Sequence, residues 1–548
     1  MPAEAARAQS IIDIRDIKDG VVILKNGALR KVVLVDGLNF DLKSEEEQRI
    51  ILATYQGLVN ALDFSIQINI HSRKLNIDEY LQSLEERQQE ETNKLLRIQL
   101  EEYREFVKSF VETNAIMAKS FFVVVPYDPP VLPIPVKPIL GKFFGSKKKT
   151  PEPGENQEAT DPLHREQLEQ RTEQVINSLR QIGLRAVALE DPELLELYFN
   201  YYNPATIERR GEAIGRQGKS GIAGIEDIVA PSSVEVSPNF IRIGEKYSKT
   251  LFVFNYPRYL SSGWFSPIIN LPELIDISIF IHPLNTGTAL RNLRRKATQI
   301  EAQIMEAQEK GMIRNPLLET ALQDIEMLRD SLQRAEEKLF DVGVYITIYA
   351  DSEKELNQLE TKITKDLDGK LVNLKPANFE QLKGFNSTAP IMKDELDIHS
   401  PLNSAPVSSF FPFIALDLTS DEGVLYGLNR HNNTVIIFDR FSLENANMVI
   451  FGKAGSGKSY ATKLEVIRSM MLGSDLIIVD PEREYETLAK AVGGSFLQIS
   501  LQSESTINPL DLPIVAEDET PGEALKSHIV DLTGLVKLML GKISAEEE

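Results

Sequence analysis

The chain has 548 residues, 42% of them hydrophobic and 26% charged, which is the balance of a soluble globular protein with sizeable cores and room for roughly three domains of about 150 residues. A net charge of −21 argues against a surface that coats nucleic acid broadly, although it leaves room for a local basic groove. The absence of cysteine excludes disulfides and thiolate metal sites and suits a reducing cytoplasm, while the six histidines lie far apart with no HxxxH or HExxH spacing, which argues against zinc.

The N-terminus lacks the apolar stretch of a signal peptide, and no segment approaches about 20 uninterrupted apolar residues, so no helix is expected to span a membrane. The first region alternates strand and helix signals. "IIDIRDI", "VVILKNG" and "ALRKVVLV" read as short strands joined at Gly20 and at Asn26-Gly27. A helix over 44–61 follows, then the strand "FSIQINIH", a long charged helical stretch over 76–118 whose charges read as a solvated face, and the strand "SFFVVVPY". Residues 128–160 are dense in Pro, then basic, then polar, and read as a linker or surface insertion. A helix over 162–182, the strand "LRAVALE" and another helix close a first α+β unit over 1–202.

Residues 203–233 are rich in Gly, Pro and Ser and read as an irregular linker. Within them "GRQGKSG" imitates a phosphate loop, but Ala213 stands where its first glycine belongs and no apolar strand precedes it. A second α+β unit occupies 234–400. Its strands are "KTLFVFNYP", "IDISIFIHP", "LFDVGVYITIYA" and "KLVNLKP", and two helices over 287–338 meet at "GMIRNP" as a helical hairpin. The single Trp264 reads as a core residue, and the basic run from Arg291 to Lys296 reads as a solvated helix face.

The region 405–548 carries the chemistry. Gly452, Lys453, Ala454, Gly455, Ser456, Gly457, Lys458 and Ser459 form a complete GxxxxGK[ST] loop, followed by Tyr460. The apolar run 448–451 before it predicts a strand, and apolar residues at 461, 464, 467 and 471 predict a helix ending at Gly473. Such a loop turns successive backbone N–H groups towards phosphate oxygens at a helix N-terminus. Lys458 then reaches the β- and γ-phosphates of ATP, and Ser459 holds Mg²⁺. Residues 476–479 predict a buried strand with Asp480, Glu482 and Glu484 at its end, where either a carboxylate orients the attacking water or supports the Mg²⁺ shell, or the acids only start a helix and form a surface pair.

Phe411-Pro-Phe413, the hairpin leading into the glycine loop, "IIVDPEREY" and "INPLDLP" resemble the conjugative type IV secretion ATPases, TraC-like motors grouped with the HerA and FtsK translocases. The resemblance covers most of the chain. It implies an α/β architecture in which the α+β N-terminal region precedes a RecA-like P-loop NTPase domain, and it makes Glu484 the acid that assists hydrolysis. It also implies a hexameric ring, partners in a secretion or conjugation channel, DNA contact, and peripheral association with the cytoplasmic face of the inner membrane. Two other readings stand beside it: a DNA translocase and a non-hydrolysing assembly subunit. No apolar strand ending in Asp or Asp-Glu follows 513, because Ile529-Val530-Asp531 is flanked by helix signals, and the last residues carry a Ser544/Glu547 capping box. The expectation is therefore a motor domain truncated before its second acidic strand, with nucleotide binding and little turnover.

Overall fold

The computed structural model describes residues 4–5, 8–40, 43–75, 77–114, 116–129, 162–205, 224–257, 259–260, 263–310, 315–414, 418–419, 422–430, 434–500, 508–512 and 521–541. Most of the two expected linkers, the 215–221 loop, the turn of the helical hairpin and the Ser544 capping box lie outside them. The chain divides into two compact units: Met1–Glu90 with Gln99–Met448, and Glu91–Ile98 with Val449–Glu548.

The first unit is built on one 14-stranded sheet with helices. Its strands in chain order are β1 (Glu4–Ala5), β2 (Ile14–Lys18), β3 (Val21–Leu24), β4 (Leu29–Val35), β5 (Ile66–Lys74), β6 (Met117–Tyr127) and β7 (Ala186–Ala188). Then come β8 (Val234–Val236), β9 (Ile241–Ile243), β10 (Lys246–Asn255), β11 (Ile275–Pro283), β12 (Leu339–Ala350), β13 (Asn373–Pro376) and β14 (Ser400–Asn403). The order runs β1-β8-β9-β10-β12-β11-β5-β6-β4-β3-β2, with β13 on β10, β14 on β12 and β7 on β4. Every ladder in it is antiparallel. The two α+β stretches read from sequence therefore meet in one sheet, along the β5–β11 ladder from Ile66↔Ile281 to Ser72↔Ile275.

Local chemistry sets the turns. Asp19 and Gly20, between β2 and β3, both take positive φ, 55° and 69°, as a two-residue type I′ hairpin requires. In the next turn the Asn26 side chain accepts the Ala28 N–H at 3.0 Å, and Gly27 sits at φ 85°. The helix Glu45–Ala61 starts on a capping box: the Ser44 N–H donates to Glu47 Oε2 at 2.8 Å, and the Glu47 N–H donates to Ser44 Oγ at 3.3 Å. It buries Ile51, Tyr55, Leu58 and Val59, and Tyr55 meets Phe411 and Phe413 edge-on. The long helical stretch divides into Asp78–Glu90 and Lys94–Asn114, because the Asn93 side chain accepts the Leu95 N–H and starts a second helix.

Both faces of the central strands are covered. Ile275, Ile277, Ile279 and Ile281 of β11 and Phe340, Val342, Val344, Ile346 and Ile348 of β12 pack into one core. Phe280, Tyr345 and Tyr349, which alternate with them, pack into the other. Polar side chains cross that second face. Gln67, Asn69, Asp276, Ser278 and Thr347 are fully buried, and the helix Gln381–Thr388 with its C-terminal turn supplies partners for all of them but Asp276. Asn69 donates to the Thr388 carbonyl at 2.8 Å, while Gln67 donates to the Ala389 carbonyl and accepts the Met392 N–H. Arg73 forks onto Asp276 at 2.9 and 3.0 Å, and Tyr349 donates to the same carboxylate at 2.5 Å.

Trp264 is a core residue, against Tyr256, Phe265 and Phe410. Arg291, Arg294, Arg295 and Lys296 lie on the exposed face of the helix Thr286–Glu309. A small sheet of β15 (Leu418–Thr419), β17 (Val435–Phe438) and β16 (Val424–Leu428), in that order, precedes the glycine loop.

The second unit departs from expectation. Residues 448–451 and 476–479 belong to no ladder among the described residues, which therefore do not show the doubly wound sheet of a RecA-like domain. A strand is stabilised by its cross-strand neighbours, and none is paired with these runs. Ile529, Val530 and Asp531 lie inside the helix Pro521–Leu540. No described helix is long and apolar enough to cross a membrane.

Candidate functional site

The glycine loop is a single tight turn running into the helix Lys458–Met471. Gly455 at φ 74° and Gly457 at φ 94° occupy left-handed backbone, which an L side chain adopts only under strain, and Gly457 is the helix N-cap. Gly452 is needed for a different reason. A Cβ there would lie 2.4 Å from Ser456 Oγ and 3.0 Å from Lys458 Cγ, so a side chain at 452 would displace both of these from the places they hold. The Ser456 N–H donates to the Lys453 carbonyl at 3.1 Å, and the Lys458 ammonium donates to the Gly452 carbonyl at 3.0 Å. These bonds curl 452–458 around the first turn of the helix.

Lys453, Ala454 and Tyr460 are exposed, and Ser459 is half-buried at the helix start. Unlike the first turn, which stands open, the body of the helix is anchored by the buried Val466, Ser469 and Met471. An open first turn of backbone N–H groups, a left-handed glycine before it and a lysine reaching back across the loop fit a polyphosphate.

The acidic turn beyond residue 479 has its own internal logic. Asp480 Oδ2 accepts the Tyr485 N–H at 2.8 Å. That bond is the main reason the Asp480 carboxyl is held below its usual range, with the N–H groups of Glu484, Glu482 and Arg483 adding to it against some desolvation. Arg483 takes φ 60°, the left-handed kink that lets these N–H groups converge. Its side chain pairs with Glu486 at 2.7 Å, and Lys490 pairs with the same carboxylate at 2.6 Å. Asp480 and Glu486 are thus engaged in holding the turn, whereas the Glu482 and Glu484 side chains are exposed.

Tyr485 carries this turn to the phosphate-loop helix. The Lys463 ammonium lies 5.2 Å from the centroid of its ring, one helical turn beyond Ser459. Sequence reasoning placed the three acids at a strand end and missed this contact, because nothing in the spacing of 463 and 485 signals it. The runs 448–451 and 476–479, both expected as strands, pair in no ladder among the described residues, and here a helix side chain meets the acidic turn.

Two comparisons bear on these segments. Residues 14–204 match the archaeal TraC-like domain, and residues 430–516 match the central domain of the helicase HerA. The second match contains both the glycine loop and the acidic turn. The chain matches no curated protein.

Proposed function

We propose, for a chain that belongs to the TraC/HerA–FtsK type of ATPase family, that it is an ATP-binding motor subunit of a conjugation or type IV secretion apparatus. The observation that carries the proposal is the closed glycine turn at 452–458 opening onto a helix N-terminus within the HerA-like segment. In this reading Gly452 to Tyr460 form the nucleotide cradle. The backbone N–H groups from Gly455 onwards bind phosphate oxygens, and Lys458 exchanges the Gly452 carbonyl for a phosphate. Ser459 is positioned to hold Mg²⁺, whose chemistry when bound is to neutralise phosphate charge.

Glu484 is the residue proposed to orient the attacking water. Asp480 is already committed to backbone N–H groups and Glu486 to two cations, whereas Glu484 is an exposed carboxylate on the turn that Tyr485 attaches to the phosphate-loop helix. The assembled form we envisage is a homo-oligomeric ring, docked on channel subunits at the cytoplasmic face of the membrane. A HerA/FtsK-like DNA translocase is the second reading, favoured by the HerA match itself.

Binding of a fluorescent ATP analogue with Mg²⁺ tests the site. Lys458→Ala should abolish it, because the lysine supplies the main point charge on the phosphates. Glu484→Gln should leave affinity near normal and, in a form of the protein that turns ATP over, lower hydrolysis by about 10²–10⁴-fold, as a general-base role requires. Unchanged binding in Lys458→Ala would overturn the cradle assignment. Hydrolysis stimulated by DNA with a steep salt dependence would select the translocase reading.

A further inference from the structure

His282, Asp394 and His399 are far apart in sequence, yet one ligand atom from each lies within 4.8 Å of the others. They sit in the first unit. His282 is on β11, opposite Asp341 of β12, and the other two flank the turn that leads into β14. The two imidazole rings meet edge to face at 4.9 Å.

Each group is prepared by its neighbours. His282 Nδ1 lies 2.9 Å from Ser65 Oγ, and its Nε2 is buried with no hydrogen-bond partner. With Nδ1–H donating to Ser65, the unpartnered Nε2 carries a lone pair, and an orphaned lone pair is the smaller cost of the two tautomers. Metal-binding histidines are held in the same way, by a hydrogen bond from the other ring nitrogen. Asp394 is positioned by Tyr345, whose hydroxyl lies 2.9 Å from both carboxylate oxygens, and by the Asp397 N–H at 2.9 Å. His399 Nε2 lies 2.7 Å from Asp394 Oδ2.

Gly343 shows that this crowding is built into the sheet. It lies mid-strand in β12, where a side chain would normally strengthen the strand, and a Cβ there would come within 2.9 Å of the His399 ring and 3.0 Å of the Tyr345 hydroxyl. The bare backbone makes room for both.

We propose that His282, Asp394 and His399 form a binding site for a divalent transition ion of the zinc class. Two imidazoles and one carboxylate match the nitrogen and oxygen preferences of Zn²⁺, Co²⁺ and Ni²⁺, and three protein ligands leave one position for water. The ion takes the place of the proton between His399 Nε2 and Asp394 and meets the unused lone pair of His282. Contraction from separations of up to 4.8 Å is required, and a change of rotamer at the partly exposed His399 supplies it. Asp341 and Asp397 add negative charge nearby. A bound ion would tie β11 and the 394–399 turn together, and it would do so independently of the nucleotide site.

Full-length chain stripped with a chelator and titrated with Co²⁺ and Zn²⁺ tests this. The expected result is one Co²⁺ per chain, with visible ligand-field bands displaced by Zn²⁺ and a Zn²⁺-dependent rise in Tm. His282→Gln and His399→Gln should each remove the bands and the Tm response, and Tyr345→Phe should weaken Zn²⁺ binding by about 10–100-fold. His399 is partly exposed, so glutamine there should keep the circular dichroism of the parent, and that variant remains informative if His282→Gln fails to fold. No stoichiometric uptake by the parent, or uptake that survives His399→Gln and Asp394→Asn, would overturn the site.

Discussion

Residues 275–281 and 476–479 are both short runs rich in β-branched residues, and the structure treats them oppositely. In β11, Ile275, Ile277, Ile279 and Ile281 are no more than 1% exposed, with β5 on one side and β12 on the other. In the second run Ile477 is 96% and Val479 is 92% exposed, and no ladder among the described residues holds them. The same local signal therefore gives a central strand in one place and an unpaired segment in the other. Strand propensity measures how well a side chain fits a pleated, half-buried surface, and it has content only where neighbours provide that surface.

The largest contrast should come from Asp276. It is fully buried under Arg73, His71 and Tyr349, so removing it strands a buried guanidinium. Asp276→Ala should destabilise the first unit by about 3–5 kcal/mol, the usual cost of breaking a buried ion pair. Denaturant unfolding followed by circular dichroism measures it. A loss below about 1 kcal/mol would mean that water or rearrangement relieves the arginine, and that the polar face is less closed than the geometry shows.

A matched pair of truncations sharpens the comparison directly. Ile279→Ala deletes buried methyl groups between two strands and should cost about 2–5 kcal/mol. Ile477→Ala removes exposed ones and should stay within about 0.5 kcal/mol. Equal costs at the two positions would show that 476–479 is packed in solution, and the second unit would then hold a sheet after all.

How far the sequence could be read depends on the range of the interaction. The Asp19-Gly20 and Asn26-Gly27 turns, the Ser44 cap and the glycine loop are contiguous, and each residue type there answers a local demand of the backbone. The pairing of β5 with β11 is not contiguous, and no local pattern announces it. Alternation in "FSIQINIH" and "IDISIFIHP" suggests strands with one wet face, yet Gln67, Asn69, Asp276 and Ser278 are buried. They are covered because Thr388, Ala389 and Met392, more than three hundred residues from Gln67, present backbone groups that satisfy them. The same distance hid His282 from His399, since a search for closely spaced histidines finds only sites built on one element. At the candidate nucleotide site the loop was legible for the opposite reason, while the contact of Lys463 with Tyr485 was not.

Acid provides the last and smallest test, because it sets two carboxylates of similar acidity against each other. Burial by itself would raise the Asp276 pKa, but Arg73 and then His71 bring it down to about 2. Glu486 is also held at about 2, through its hydrogen bonds with Arg483 and Lys490, but on an exposed turn. A folded pKa below the unfolded value near 3.8 means that the unfolded chain binds more protons within that interval. The contribution of Asp276 is thus complete above about pH 4 and is lost as pH falls towards 2, with a size of about 2 kcal/mol from the shift in pKa. His71, buried with its pKa lowered first by desolvation and then by the charge of Arg73, adds a loss of the same sign beginning below its unfolded value near 6.5. The solvent-screened pairs of Glu486 should add little and fade with salt. Unfolding free energies measured from pH 7 to pH 2 at low and high salt separate the two. A steep acid limb that persists in high salt and flattens in Asp276→Asn is the expected result, and a limb abolished by salt alone would transfer the effect to surface pairs such as those of Glu486.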